Sequence, residues 1–188
     1  EIYQCDWSSD VCSSDLFRQA GSPLAFAGVM FSIADILQSG VCERFPNLKF
    51  VITEFEAGWT AIMLKRLDWA YTRFGGARTG LPHPPSFYWK RQFFVTFEDD
   101  ALGVRTRDYI GTNSIIWGND YPHGDSVFPR SQAVLTDVLK DCTRDEIYQM
   151  TVKNVVDLYK LPFKLTGPHQ SRIADLIEAQ AGNKVAAG

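Results

Sequence analysis

Three short apolar runs in this chain end in an acid. Glu54 closes FVITE, Glu98 closes FVTFE and Asp120 closes SIIWGND, with His123 three residues further on in DYPH. Carboxylates at the ends of buried strands are placed to bind a cation or to handle protons. A structural use competes with that one, because an acid at a strand-to-helix turn also caps the helix that follows. For Glu98, with Asp99 and Asp100 beside it, capping or solvation is the favoured reading. For Asp120 the preference reverses, since Tyr121-Pro122 interrupts the chain at once and no helix starts there to be capped. His123 on its own reads as a surface hydrogen-bonding residue before it reads as a ligand.

The elements that must position these residues follow from periodicity. FAGVMFSIADILQSG has helical apolar spacing and stops at Ser39-Gly40. LKFVITE is a short run rich in Val, Ile and Phe, suited to a strand buried on both faces, and QFFVTFE and SIIWGND are of the same type. The spacing predicts parallel strands over Lys49–Glu54, Phe93–Phe97 and Ser114–Trp117. In GWTAIMLKRLDWAYTRF the stripe Trp59, Ile62, Met63, Leu67, Ala70 and Phe74 predicts an amphipathic helix with Lys65, Arg66 and Asp68 outward. GGARTGLPHPPS reads as a loop, and DDALGVRTRDYIG as one short helix capped by its acids. SQAVLTDVLKD and TRDEIYQMTVKNVVDLYK read as two helices, the second opened by Thr143 and Glu146 at capping-box spacing. RIADLIEAQAG suggests a last helix before a small-residue tail. Strand and helix alternating in this way make a parallel α/β domain, either doubly wound or a (β/α) barrel, and periodicity alone does not choose.

Composition narrows the function. The chain has 188 residues, a net charge of -3 and 45% hydrophobic content, with no run of Lys or Arg. That argues against a nucleic-acid surface or an anionic-membrane patch and for small molecules or other subunits as partners. The sequence lacks a membrane-length apolar run and a signal-peptide pattern, so a cytoplasmic enzyme is expected. The four cysteines form no CxxC, and Cys42 and Cys142 suit a core as small hydrophobes. No glycine-rich phosphate loop supports a doubly wound binding domain, the alternative to an enzyme.

Several blocks together resemble the amidohydrolase-related family that includes aminocarboxymuconate-semialdehyde decarboxylase and γ-resorcylate decarboxylase. They are GVCERFPNLKFVITEFEAGW, Leu67-Asp68, the PS-x-Y of Pro85 to Tyr88, FVTFEDD, WGNDYPHGDSVFPRS and the N-x-x-x-L-Y of Asn154 to Tyr159. The resemblance implies a metal-dependent (β/α)8 barrel acting by hydrolysis or non-oxidative decarboxylation on a small carboxylated or cyclic substrate. It implies that Asp120 is a ligand of a divalent metal, Zn or Mn, and a proton acceptor. It also implies a homo-oligomeric parent enzyme.

The chain departs from the family pattern in two ways. Glu54 stands where the decarboxylases of the family carry a catalytic His, which makes Glu54 the candidate acid or base. The HxH and the third His of the family's first and fifth strands have no match in His83, His123 or His169. The resemblance therefore implies the C-terminal portion of a barrel, about three strands of eight, with an incomplete metal site and no activity alone. Substrate contacts fall to His123 and Trp59 as candidates, with Trp117 equally suited to pocket or core.

The opening CDWSSDVCSSDL has no periodicity and no metal-ligand spacing. Back-translated, it resembles a sequencing-library adaptor read in frame. Residues 1–16 are accordingly expected to be an assembly artefact that packs poorly, residues 17–166 the partial barrel and residues 167–188 a C-terminal helix and tail. An inert truncated product is the remaining alternative reading.

Overall fold

A computed structural model describes residues 25–76, 80–124, 126–165, 167–168 and 171–186. The expectations for residues 1–16, the Cys5 and Cys12 pair among them, and any role of His169 lie outside the described residues.

Helix α1 (Ala25–Gln38) buries Ile33 and Leu37 and ends where the sequence places its stop, with Ser39 Oγ donating to the Ile36 carbonyl at 2.9 Å and Gly40 at φ 78°. Only glycine takes that left-handed angle without cost. A one-turn helix α2 (Val41–Arg44) leads into strand β1 (Phe50–Ile52), which is followed by helix α3 (Gly58–Arg73). The long face of α3 is rotated from the predicted stripe. Trp59, Thr60, Met63 and Leu64 are buried, whereas Ile62 and Phe74 are 55% and 62% exposed. The cause is that α3 packs against several helices at once, so its neighbours and not its strict period choose the buried positions. Asp68, expected to face outward, is half-buried and accepts the Ser86 N–H at 2.9 Å.

That bond marks a helix the sequence reading missed. Pro85–Gln92 forms α4, directly ahead of strand β2 (Phe93–Phe97). Pro85 sits in its first turn, where a missing N–H costs nothing, so the proline pair that reads as loop is a helix start. The predicted helix after β2 is two helices, α5 (Ala101–Arg105) and α6 (Arg107–Ile110), which meet at Thr106. Strand β3 (Ile115–Trp117) follows. Helices α7 (Ser131–Val138), α8 (Arg144–Tyr148), α9 (Asn154–Tyr159) and α10 (Arg172–Ala186) complete the chain. The capping box of Thr143 and Glu146 is formed in both directions. The stretch read as one helix from there carries a π-helical segment, Gln149–Lys153, between α8 and α9.

The three strands form one parallel sheet in the order β1-β2-β3, with Phe50 opposite Phe93 and Val95 opposite Ile115. Phe93, Val95, Phe97 and Ile115 are buried on one face, where they join Leu37, Met63, Leu64, Trp89 and Ile110 in the core. Phe94 and Thr96, on the other face of β2, are half-buried. The stack of Phe50 on Phe93 (4.6 Å between centroids) and of Phe93 on Trp89 (5.1 Å) ties β1, β2 and α4 together. This is an α/β fold of parallel strands joined by helical crossovers, as the sequence predicts. Among the described residues, no helix is long and apolar enough to cross a membrane.

Candidate functional site at the C-terminal ends of the strands

Because the strands are parallel, the segments that leave β1, β2 and β3 all emerge at the same end of the sheet. Glu54 and Asp120 both lie there, and both are bent sharply at that point. Their φ angles are 66° and 54°, and Glu56 adopts 54°. For a non-glycine residue this left-handed conformation costs on the order of 1 kcal/mol or more and persists where the surroundings hold it. Of the four described non-glycine residues with positive φ, three lie within these two strand-end loops, and the fourth, Lys160, ends α9.

Asp120 sits in a turn built by its neighbours. Gly118 N–H donates to the Phe97 carbonyl at 3.0 Å, which fastens the end of β3 to β2. Ser126 Oγ donates to the Asn119 carbonyl at 2.6 Å, Val127 N–H reaches the same carbonyl at 3.3 Å, and Tyr121 N–H donates to Asn119 Oδ1 at 3.3 Å. Inside that turn, His123 Nδ1 lies 2.7 Å from Asp120 Oδ2, and His123 N–H donates to the Asp120 carbonyl at 2.8 Å. The carboxylate is mostly covered, 15% exposed, while the imidazole is 67% exposed. The structure therefore brings the two sequence candidates together as an acid and imidazole pair at the rim. An arrangement of this kind orients the carboxylate and gives its proton a relay to solvent.

Glu54 is exposed, and its N–H donates to Thr96 Oγ1 at 3.2 Å, which anchors it beside the end of β2. Trp59 occupies a different setting from a pocket wall. It is buried in the core, and its Nε1 donates to the carbonyls of Phe55 and Glu56, both at 2.8 Å. The indole thereby braces the backbone turn that carries Glu54 and Glu56. Trp117 is half-buried at the end of β3, and its Nε1 is buried without a partner among the described residues.

Two residues that the sequence reading did not single out as a pair dominate the loops. Glu56 accepts the N–H groups of Glu98 (3.0 Å) and Asp99 (3.3 Å). Asp100 accepts those of Ala57 (2.7 Å), Gly58 (2.6 Å) and, as the cap of α5, Gly103 (2.7 Å). Burial pushes the Glu56 carboxyl above its ordinary range, with the Asp100 and Asp99 charges adding to the effect and the two N–H donors opposing it. The helix-capping role expected of the acids after β2 falls to Asp100.

No group of three or more His, Cys, Asp or Glu side chains among the described residues is placed to hold a metal ion. Asp120 and His123 offer two donors, and one oxygen of Asp120 is already engaged by the imidazole. A tightly held divalent cation takes three or four protein ligands or more, so the described residues do not fit a metal centre by themselves.

Comparison with known proteins agrees with this architecture. The chain is similar to the crystal structure of amidohydrolase map2389c from Mycobacterium avium subsp. paratuberculosis K-10, with 24% identity and a TM-score of 0.62 over 77% of this chain and 36% of that one. It is also similar to 5-carboxyvanillate decarboxylase LigW from Sphingomonas paucimobilis, with 20% identity and a TM-score of 0.56 over 68% of this chain and 38% of that one. At these identities the likeness establishes the fold, a portion of a (β/α)8 barrel, and the chain spans little more than a third of the length of either protein. Curated proteins give no match. The sequence model of the family described as Amidohydrolase matches residues 6–161, from the opening segment through α9 and with every strand inside it, and the chain belongs to that family.

Proposed function

We propose that this chain forms part of the catalytic face of a metal-dependent amidohydrolase-family enzyme. That enzyme acts on a small carboxylated or cyclic substrate by hydrolysis or non-oxidative decarboxylation. Asp120 is one ligand of a divalent metal, Zn or Mn, and the remaining ligands come from outside the described residues. Glu54 serves as acid or base at the neighbouring strand end, and His123 orients Asp120 and faces the substrate. Trp59 acts on the substrate side through the turn it braces.

The observation that carries this reading is the Asp120–His123 contact of 2.7 Å in a left-handed turn at the C-terminal end of a parallel sheet. In (β/α) folds that end carries the chemistry, whereas residues at the other end serve stability. A carboxylate that only solvated the loop would have no need of a strained backbone and a mostly covered position.

The experiment is Zn²⁺ loading followed by dialysis and metal analysis. It is run on this chain and on a protein extended on the N-terminal side to the length of its structural relatives. The extended protein is expected to keep about one equivalent and to lose it with Asp120→Ala, while the chain alone keeps far less. Full retention by the extended Asp120→Ala variant refutes the ligand role. One equivalent held by the 188-residue chain itself, and lost with Asp120→Ala, shows that these residues make up a complete site.

A further inference from the structure

The backbone ladder between β1 and β2 ends at Ile52 and Val95, yet the two chains do not separate there. Beyond that point the hydrogen bonds continue with side chains as acceptors. Glu54 N–H reaches Thr96 Oγ1, the N–H groups of Glu98 and Asp99 reach Glu56, and those of Ala57 and Gly58 reach Asp100. Two of the five bonds join residues 43 apart in sequence, the offset of the strand pairing, and the other three join residues 42 apart, one short of it. The register of the sheet is thus carried through the strand-end loops by a hydroxyl and two carboxylates.

The bonds are also crossed. The loop after β1 gives the Glu56 carboxylate and receives the Asp100 carboxylate, and the loop after β2 does the reverse. Neither loop can lift away without breaking both sets of charge-assisted bonds, each about twice the strength of a neutral one. Two glycines permit the close approach. A Cβ on Gly103 would lie 2.4 Å from Asp100 Oδ2 and 2.8 Å from the Ala57 Cβ, and one on Gly58 would lie 3.1 Å from Leu102 Cγ and 3.2 Å from Asp100 Oδ1. The donors of both loops are thereby held against carboxylates that would repel each other if left bare.

We propose that Glu56 and Asp100 are positioning residues that lock the β1-end and β2-end loops into one cooperative unit and so fix the carboxylate of Glu54 at the site. The positional consequence rests on the reading of Glu54 as acid or base, whereas the coupling of the two loops does not. Glu56 touches no reacting atom. It acts through the backbone of the opposite loop, and Asp100 acts in the same way in return.

The test is residue-resolved amide hydrogen exchange on the 188-residue protein. Glu56→Ala is expected to speed exchange by about tenfold or more at Glu98 and Asp99, which lose their acceptor, and also at Ala57 and Gly58, whose acceptor Asp100 is untouched. Glu56→Gln, which keeps one acceptor oxygen and puts an NH2 in place of the other, is expected to restore protection at Glu98 and at Ala57 and Gly58, while Asp99, whose N–H would then face that NH2, stays fast. Faster exchange confined to Glu98 and Asp99 overturns the proposal, because the two carboxylates would then be independent local caps. If Glu56→Ala does not fold, Glu56→Asp, one methylene shorter, gives the same comparison in a folded protein. Metal retention by the extended protein is a separate measurement, so coupled exchange beside an Asp120→Ala variant that keeps its metal leaves the lock standing and removes only the reading of Asp120 as a metal ligand.

Discussion

The side-chain amide of Asn154 lies 2.6 Å from the carbonyl oxygen of Ile115, and the same Nδ2 donates to Thr112 at 2.7 Å. Asn154 opens α9 just after the π-helical segment, and its Oδ1 accepts from Gln149. One buried side chain thus sets the depth at which β3 enters the sheet, and through β3 the place of Asp120. Asn154→Ala leaves two carbonyls without their donor, at about 1–3 kcal/mol for each group that stays buried. Thermal or urea unfolding should show a loss of at least about 2 kcal/mol. A change below about 0.5 kcal/mol would mean that β3 is held by its strand pairing alone.

Glu54 carries a backbone angle that glycine tolerates better than any other residue. Glu54→Gly should therefore be more stable than Glu54→Ala by about 1 kcal/mol, although glycine adds freedom to the unfolded chain. Urea midpoints of the two variants give the difference. Equal midpoints would mean that φ 66° stores no strain at this position.

Gly103 lies in α5, where alanine would ordinarily favour the helix by about 1 kcal/mol. The overlap of its Cβ with Asp100 and Ala57 should reverse that preference, making Gly103→Ala destabilising by about 2 kcal/mol. Gly118→Ala is the control, since nothing lies within 4 Å of a Cβ there, and it should fall within about 0.5 kcal/mol of the parent. A stabilised Gly103→Ala would show that the two loops have room to part.

The Arg107 guanidinium clasps Glu146 with Nε at 2.7 Å from Oε1 and Nη2 at 3.2 Å from Oε2, and it holds that carboxyl below its ordinary range, helped by the Thr143 N–H and hydroxyl. A carboxyl depressed in the folded state contributes stability that is present above its unfolded value and lost as pH falls through the folded one. A double-mutant cycle with Arg107→Met and Glu146→Gln should give a coupling of about 1–2 kcal/mol at neutral pH that disappears in strong acid. Glu56 runs the other way, because its raised carboxyl takes stability from the fold as pH rises through its window. A coupling for Arg107 and Glu146 that is flat with pH would show that the contact works through packing and not charge.

The strands were legible because Phe50–Ile52, Phe93–Phe97 and Ile115–Trp117 are β-branched and aromatic runs that carry no other use. The capping box at Thr143 was legible for the same reason, as a local pattern with one meaning. α4 was hidden because Pro84-Pro85 signals both a loop and a helix start, and only the Asp68 contact from α3 decides between them. The pairing of Asp120 with His123 could be approached from their spacing of three. The crossing of Glu56 with Asp100 could not, since it joins residues from two loops and depends on a strand register that exists only once the sheet has formed.

That register has a consequence in time. Among the described residues β1 and β3 pair with β2 alone, so the backbone bonds of these three strands wait on Phe93–Phe97. Each pairing must also close a loop that contains helices, and the entropy of that closure is spent before any contact returns it. The helices, built on local contacts, are expected to form ahead of the sheet, with β1 unmatched until β2 arrives. The central strand is thus the keystone of assembly, and the order in which the chain becomes a structure is dictated by its middle and not by its beginning.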